Sequence, residues 1–502
     1  MASVMDSGDG GGEGSAGLDG NGSGIGSGET MGPDGKAWEV STTPSGAEEG
    51  IRRRARIEHK EVKGWPGKLK ASMWHGGTWV DAWFSALAGQ IGSVLLVFPY
   101  TLAQMGYGWG LSLQVLYAIY GCWTVYLLSW MYNEMSARKT TREKFDDRHI
   151  LQYHEVIGGL AGKWAGRITK AFNITGLTFG CVLQVIANGS DVYYLDTSWS
   201  KRTWTYVFGA LTLLTILIPS MHNLRIISFT GVVAISFTGW YLTGAALQHG
   251  QVANVKHSGP IDKVQFFTGA TNILFTFGAH GICMEIMEAM YQPRVYNYIY
   301  ILAVIWTLCL SIPDSVSVYW AFGDVLLKNS NAYGVLPPSG ARTTSIVLMI
   351  IHQYVAIILN INPVFLVAEK AVGLHTTSNF FLKCLVRIPV VCLVWFLALA
   401  IPFFGPINSV FGAFLIAFSV YIIPCVAFIL AYRTKEARQN SVWKPSPYFY
   451  GWRGTFAISA FIAIWVFVLG FGFGGWASVT NLVDQIHMFG FFAKCYQCPP
   501  KK

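Results

Sequence analysis

Residues 273–290 read ILFTFGAHGICMEIMEAM, an apolar stretch long enough to cross a bilayer that nevertheless carries a glycine-flanked histidine, His280, and two glutamates, Glu285 and Glu288. A charged side chain at the centre of a membrane helix costs roughly 2.5 kcal/mol or more, so ionisable groups in such a segment mark a functional site. The rest of the chain decides whether the segment lies in a membrane.

Composition says that it does. The chain is 52% hydrophobic and 13% charged, with 19 Trp and 32 Phe, whereas soluble proteins are about a quarter charged. Lys and Arg fall between the long apolar stretches and almost never inside them. The net charge of +9 comes without an aromatic-interleaved basic patch on a polar domain, so an excess of cytoplasmic Lys and Arg explains its sign and nucleic acid does not. Seven of the nine cysteines lie in apolar stretches and read as small buried hydrophobes. The other two form CYQC, Cys495 and Cys498; a single C-x-x-C is weak evidence for zinc, and disulfide and free thiols stay open. No metal or cofactor is expected.

Residues 1–50 are rich in Gly, Ser and acid, show no apolar signal-peptide core and read as a disordered tail. GSGIGSG at 22–28 has no strand before it or helix pattern after it, so it is not a dinucleotide loop. Residues 51–78 form a basic juxtamembrane segment, 79–476 the membrane domain, and 477–502 an extracellular tail. Apolar segments begin near Trp79, Trp109, Thr169, Trp204, Ile226, Phe266, Tyr298, Thr343, Leu382, Ile407 and Phe456, giving an all-α integral membrane protein of about eleven spans. With the N-terminus inside, about 27 of the 36 Lys and Arg are cytoplasmic and about 9 are outside.

One symmetry relates the two halves. The first span holds AGQIGSVLLVFPY (88–100) and the sixth TFGAHGICMEIM (276–287); each has glycines interrupting an apolar helix, five spans apart. Paired interruptions of this kind point to inverted repeats with a substrate site between them. Broken half-helices present unpaired N–H groups and a partial positive charge, which suit an organic anion. The exposed groups lie near Gln90, Ile91, Gly92 and Ser93 in the first break, and near Gly278 and His280 in the second.

His280 is the first candidate for a titrating group, because an ordinary histidine changes charge between an acidic exterior and a neutral cytosol; Glu285 is a second, as a proton relay. In the third span Gln184, Asn188 and Asp191 recur at intervals of four and three, a polar stripe facing the breaks. The eighth span supplies His352, Gln353, Asn360 and Asn362 before a kink at Pro363. Asp314 lies near another kink, and Asp81 at the surface needs no functional role. The substrate set is therefore Gln90, Ile91, Gly92, Ser93, Gln184, Asn188, Asp191, Gly278, His280 and Asn362, with His280, Glu285 and Asp191 as the proton-coupling candidates.

In HGGTWVDAWFSA, KRTWTYVFGA, HGQVANVKHSGP, FTGATNILFTFGAH, VYWAFGD, PFFGPINSVFGA, GFGFGGWASVTN and FAKCYQC, the chain resembles the auxin influx carriers of plants, within the amino acid/auxin permease superfamily, from about Trp74 to Pro499. The resemblance implies a ten-helix inverted-repeat (LeuT-like) core with helices 1 and 6 broken, a cytosolic N-terminus, and proton-driven uptake of indole-3-acetic acid across the plasma membrane. It also implies substrate recognition at His280. The chain departs from that family at the proposed site: GQIGS stands where the carriers read closer to N-Q-V-A-Q, so that Gly89 and Ser93 replace amides. Asp191 stands where Asn is usual, and Glu288 where His is usual. An added carboxylate repels an anion but suits an ammonium group, so a proton-coupled amino-acid permease stays open beside the auxin carrier.

The charge distribution predicts the topology. A tag at the N-terminus should be labelled only after permeabilisation and one after Lys502 in intact cells; N-terminal labelling of intact cells would reverse the assignment.

Overall fold

The computed structural model describes residues 77–138, 150–218, 225–374, 377 and 379–498, and the backbone of two short strands, β1 (Thr30–Met31) and β2 (Ala37–Trp38), which pair antiparallel. The remainder of the expected tail and nearly all of the basic segment lie outside the described residues.

The helical domain starts with a reciprocal cap. The Asp81 carboxylate accepts from the N–H groups of Gly77 and Thr78 at 3.1 and 3.0 Å, and the Thr78 hydroxyl accepts from Asp81 N–H at 3.4 Å. This fixes the entry of α1 (Trp79–Gln90) and accounts for Asp81. Helix α1 stops where Ile91 turns extended and Gly92 follows it; a 3₁₀ turn, Ser93–Leu96, then leads into α2 (Phe98–Met105). There follow α3 (Tyr107–Arg138), the short α4 (Tyr153–Ala161), α5 (Lys163–Tyr193), α6 (Lys201–Thr212) and α7 (Arg225–His249). The second break separates α8 (Lys263–Thr276) from α9 (Cys283–Ala289) through a 3₁₀ turn at Ala279–Ile282.

Then come α10 (Tyr296–Phe322), α11 (Gly340–Val372) and α12 (Phe380–Ala400). The tenth span is α13 (Phe404–Phe411), a π-helical stretch and α14 (Ile423–Ala431). After the short α15 (Lys435–Gln439), the last span joins α16 (Gly451–Trp465), a second π stretch and α17 (Gly474–Phe489). This helix runs past the sequence boundary at 476 and ends only at Gly490, whose φ of 74° a side chain would strain.

Among the described residues, eight helical stretches are long and apolar enough to cross a membrane. The three other expected spans are the two broken helices and α6, which tightens into a 3₁₀ turn at Leu213–Leu217. Interruption shortens each continuous run without removing the span. The outer faces are apolar, with Phe381 83% and Leu385 64% exposed, a surface suited to lipid.

Charge collects at the two ends of the bundle. At one end Glu134 pairs with Arg138 and accepts from Ser441 and Val442, Lys370 reaches Glu155 at 2.8 Å, and Arg387 reaches Glu369 at 2.7 Å. At the other end the C-terminal tail folds back: Lys201 Nζ donates to Tyr496 O, and Ser330 donates to Gln497 Oε1 through both N and Oγ. Cys495 and Cys498 are disulfide-bonded.

Gly412 sets how closely the tenth span approaches α8, since a Cβ there would lie 2.4 Å from the carbonyl oxygen of Thr271. Backbone cannot yield as a side chain can. Gly412→Ala should therefore cost about 1–3 kcal/mol, read as a lowered Tm of the detergent-purified protein. An unchanged Tm would show that the contact does not hold the two helices.

Candidate functional site

In hydrocarbon, backbone groups released at a helix break must find other partners, and side chains from neighbouring helices supply them here. At the first break His352 Nε2 lies 2.5 Å from Ile91 O. At the second, Tyr300 donates to Phe277 O at 3.1 Å, Tyr421 to Leu274 O at 3.2 Å, and Asn173 Nδ2 to Gly281 O at 3.3 Å.

Between the breaks lies a cavity of about 40 Å³. Gly89, Gln90 and Gly92 line it from the first break; Asn173, Gly176, Leu177, Gly180 and Gln184 from α5; Phe275, Gly278 and Gly281 from the second; Asn360 from α11; and Phe411, Ile416 and Ser419 from the tenth span. Its chemistry is aromatic and aliphatic walls with carboxamides, and no acidic side chain is among the lining residues. Several of the amides lack partners. Both amide atoms of Gln90, both of Asn188, Gln184 Oε1 and the Ser93 hydroxyl are buried without a hydrogen bond among the described residues. Each such group costs about 1–3 kcal/mol, a cost that a polar ligand offsets.

The sequence candidates divide accordingly. Gln90, Gly92, Gln184 and Gly278 are on the cavity wall. Ile91, Ser93 and Asn188 are buried beside it and do not line it. Asp191, a further turn along α5, is fully buried with both oxygens engaged, Oδ1 by Asn331 Nδ2 at 2.7 Å and Oδ2 by Gln353 Nε2 at 2.8 Å. It joins α5 to α11 and to the loop that meets the C-terminal tail.

His280 turns away from the cavity. Its Nε2 lies 3.2 Å from Gly121 O and 2.7 Å from Thr124 Oγ1, both on α3, with the ring edge-on to Tyr300. Glu285 accepts a 3.4 Å bond from Gln152, which also donates to Pro363 O, so it belongs to the ion-paired end of the bundle. Glu288 accepts from Tyr132. Asn362 donates to Ile358 O one turn back in its own helix, while Asn360 faces the cavity.

Asn173 and Ser419 are the polar lining residues that sequence reading passed over. A signal existed: Asn173, Gly176, Gly180 and Gln184 follow intervals of three, four and four, one continuous face of α5.

The family described as transmembrane amino acid transporter protein matches residues 75–469. Auxin transporter-like protein 3 of Arabidopsis thaliana is 50% identical over 436 residues, covering 87% of this chain and 93% of its own. Auxin transporter-like protein 4 of Medicago truncatula is 49% identical over 86% of this chain and 90% of its own. Auxin transporter protein 1 of Arabidopsis thaliana is 46% identical over 92% and 95%. Among solved structures, MhsT in complex with L-phenylalanine aligns at a TM-score of 0.56 and 12% identity, covering 79% of this chain and 100% of that one. That likeness concerns the fold alone: an all-α, LeuT-like membrane protein.

Gly92 and Gln184 offer a direct test of the cavity. A Cβ at residue 92 would come within 2.6 Å of Gln184 Nε2, the free end of a flexible side chain, so Gly92→Ala should displace the amide while sparing the fold. Equilibrium binding of an aromatic carboxylate to the purified protein should weaken about tenfold, the worth of one hydrogen bond, with Tm unchanged. Unaltered affinity would remove Gln184 from the binding set.

Proposed function

The chain belongs to the transmembrane amino acid transporter family and, within it, to the auxin transporters, and from that premise we propose that it imports indole-3-acetic acid with protons across the plasma membrane. The N-terminus is then cytosolic, and the Asp191 end of the bundle faces outward. It is a carrier and not an enzyme.

The observation that carries the choice of substrate is what the site withholds from an ammonium group. An amino acid needs a carboxylate or a ring of several oxygens around its amine, and at this wall the amide oxygens of Gln90 and Gln184 are without partners but carry no counter-charge. The cavity wall has no acid, Asp191 spends both oxygens on amides, and the carbonyls of Ile91, Phe277, Leu274 and Gly281 are already engaged. What remains is a set of carboxamides, Gln90, Gln184 and Asn360, beside Phe275, Phe411 and Ile416. That combination suits a planar aromatic acid without an amine: N–H donors take the carboxylate and the rings take the indole.

In this reading Gln90, Gly92, Gln184 and Gly278 contact the ligand, and Ile91, Ser93, Asn188 and Asn362 support the wall. Asp191 belongs to the outer closure. His280 anchors the second break to α3 and, with Glu285 and Asp191, supplies titratable groups along the path.

Radiolabelled uptake into vesicles tests the proposal. Indole-3-acetic acid should accumulate with pH 5 outside and fall to background when the proton gradient is collapsed, while tryptophan stays at the level of empty vesicles. Asp191→Asn removes a negative charge from the path and should keep or raise indole-3-acetic acid uptake at pH 7. Tryptophan uptake by the unaltered chain that drops more than tenfold in Asp191→Asn would instead identify an amino-acid carrier, whose substrate loses its ion partner.

A further inference from the structure

His352, on α11, is fully buried and meets a backbone carbonyl with each ring nitrogen: Nδ1 lies 2.8 Å from Gly231 O on α7, and Nε2 lies 2.5 Å from Ile91 O at the first break. A carbonyl only accepts. A neutral imidazole carries one N–H and serves one such partner, leaving ring lone pair against carbonyl lone pair at the other. Only the imidazolium donates to both. Ile91 is moreover the C-cap of α1, where the helix dipole favours a cation.

The two sides of the ring are built for this approach. On α7 a Cβ at residue 231 would meet Val355 at 2.9 Å, so glycine lets the two backbones close up. On α1 the seam continues one and a half turns back, where Ser85 Oγ and Ser228 Oγ are 3.2 Å apart. The facing segments, 228–235 of α7 and 88–94 of the first break, contain no titratable side chain. The Asp, Glu, Lys, Arg and His residues on α11 and the elements packed on it, besides His352, are Arg342, Glu369 and Lys370 on α11, Asp81 on α1, Lys163, Arg167, Lys170 and Asp191 on α5, Arg225 and His249 on α7, His280 at the second break, and Arg387 and Lys383 on α12. Arg342 is on Tyr333 O and Lys370 on Glu155, and Lys163, Arg167 and Lys170 lie in the first turns of α5. Asp81 is in its cap, Asp191 on two amides, His249 beside Phe322, His280 on α3, and Arg387 and Lys383 on Glu369. Among the described residues no ion pair joins any of them to the ring.

Resting on the transport reading above, we propose that His352 is the proton-coupling residue: its charged ring clasps the first break to α7, and release of one ring proton frees Ile91 O and with it α1. The proton then occupies the place at the end of an unwound half-helix where a coupling cation acts in broken-helix carriers. No covalent step is involved; the proton arrives from the acidic side and leaves to the neutral one.

Full-length His352→Gln and His352→Phe, reconstituted in liposomes, separate coupling from folding. With pH 5.5 outside and 7.5 inside, accumulation of indole-3-acetic acid should fall at least tenfold, while counterflow exchange at equal pH keeps at least a third of its rate. Gradient-driven accumulation within threefold of the unaltered chain in either variant overturns the proposal, as does proportional loss of both activities in well-folded protein. A second measurement leaves His352 in place. In Ser85→Cys, maleimide labelling relative to a reference cysteine introduced at Thr197, in an exposed loop outside the spans, quantified by mass spectrometry, should rise at least fivefold from pH 5.5 to 8 as α1 loosens; a constant ratio overturns it. An unaltered chain that accumulates no indole-3-acetic acid at any pH counts against the transport reading, and the thiol ratio then judges the ring on its own.

Discussion

A helix interrupted inside hydrocarbon leaves carbonyls that water cannot reach, and everything near the centre of this protein follows from where their partners come from. The chain breaks two helices and then recruits Tyr300, Tyr421, Asn173 and His352 from four other helices to meet the oxygens so released. Each recruit fixes a helix against a break. The glycines at 89, 92, 278 and 281 permit the turns and leave room between them, and the cavity is the space that remains. Site and scaffold are thus one construction: the groups that stabilise the interruption also decide which polar atoms are left over for a ligand.

Those leftover atoms are nearly all neutral amides. Apart from Asp314, buried within α10, and the His352 ring at the first break, charged groups lie instead at the ends, in ion pairs at the Arg138 end and in the Asp191 cluster at the other. Desolvating a charge in the middle of the bundle is expensive, whereas an amide binds an anion by its N–H dipole without carrying charge of its own through the transport cycle.

Much of this was legible in the sequence because the signals are local. Glycine beside a polar residue inside an apolar run marks a break, and Lys and Arg between runs mark the loops. Gln90, Gly92 and Gly278 followed from the first rule, and Gln184 from the polar stripe of the third span. Direction was not legible. Whether the His280 ring points to the cavity or to α3 depends on Thr124 and Gly121, about 160 positions away, and the same holds for Asp191, whose partners Asn331 and Gln353 sit 140 and 162 positions along the chain. No periodicity within one helix encodes such meetings. Asn360 and Asn362 show the finer limit: two positions apart on one helix, they point to different surroundings, and only the packing of α5 against α11 selects which faces the cavity.

The docked C-terminal tail bears on the order in which the molecule is completed. Lys201, buried beside Tyr193 and Tyr194, finds its carbonyl acceptor at Tyr496, 295 residues later, and Ser330 finds Gln497, 167 residues later. Contacts of such separation close late, after the intervening loops have paid their entropy. Every span must therefore be threaded and packed before the tail can seat, and through Ser330 and its neighbour Asn331 the seated tail reaches the Asp191 cluster. Seating of the tail thus follows the packing of the spans, and the Asp191 end of the bundle is the last part of the described structure to close.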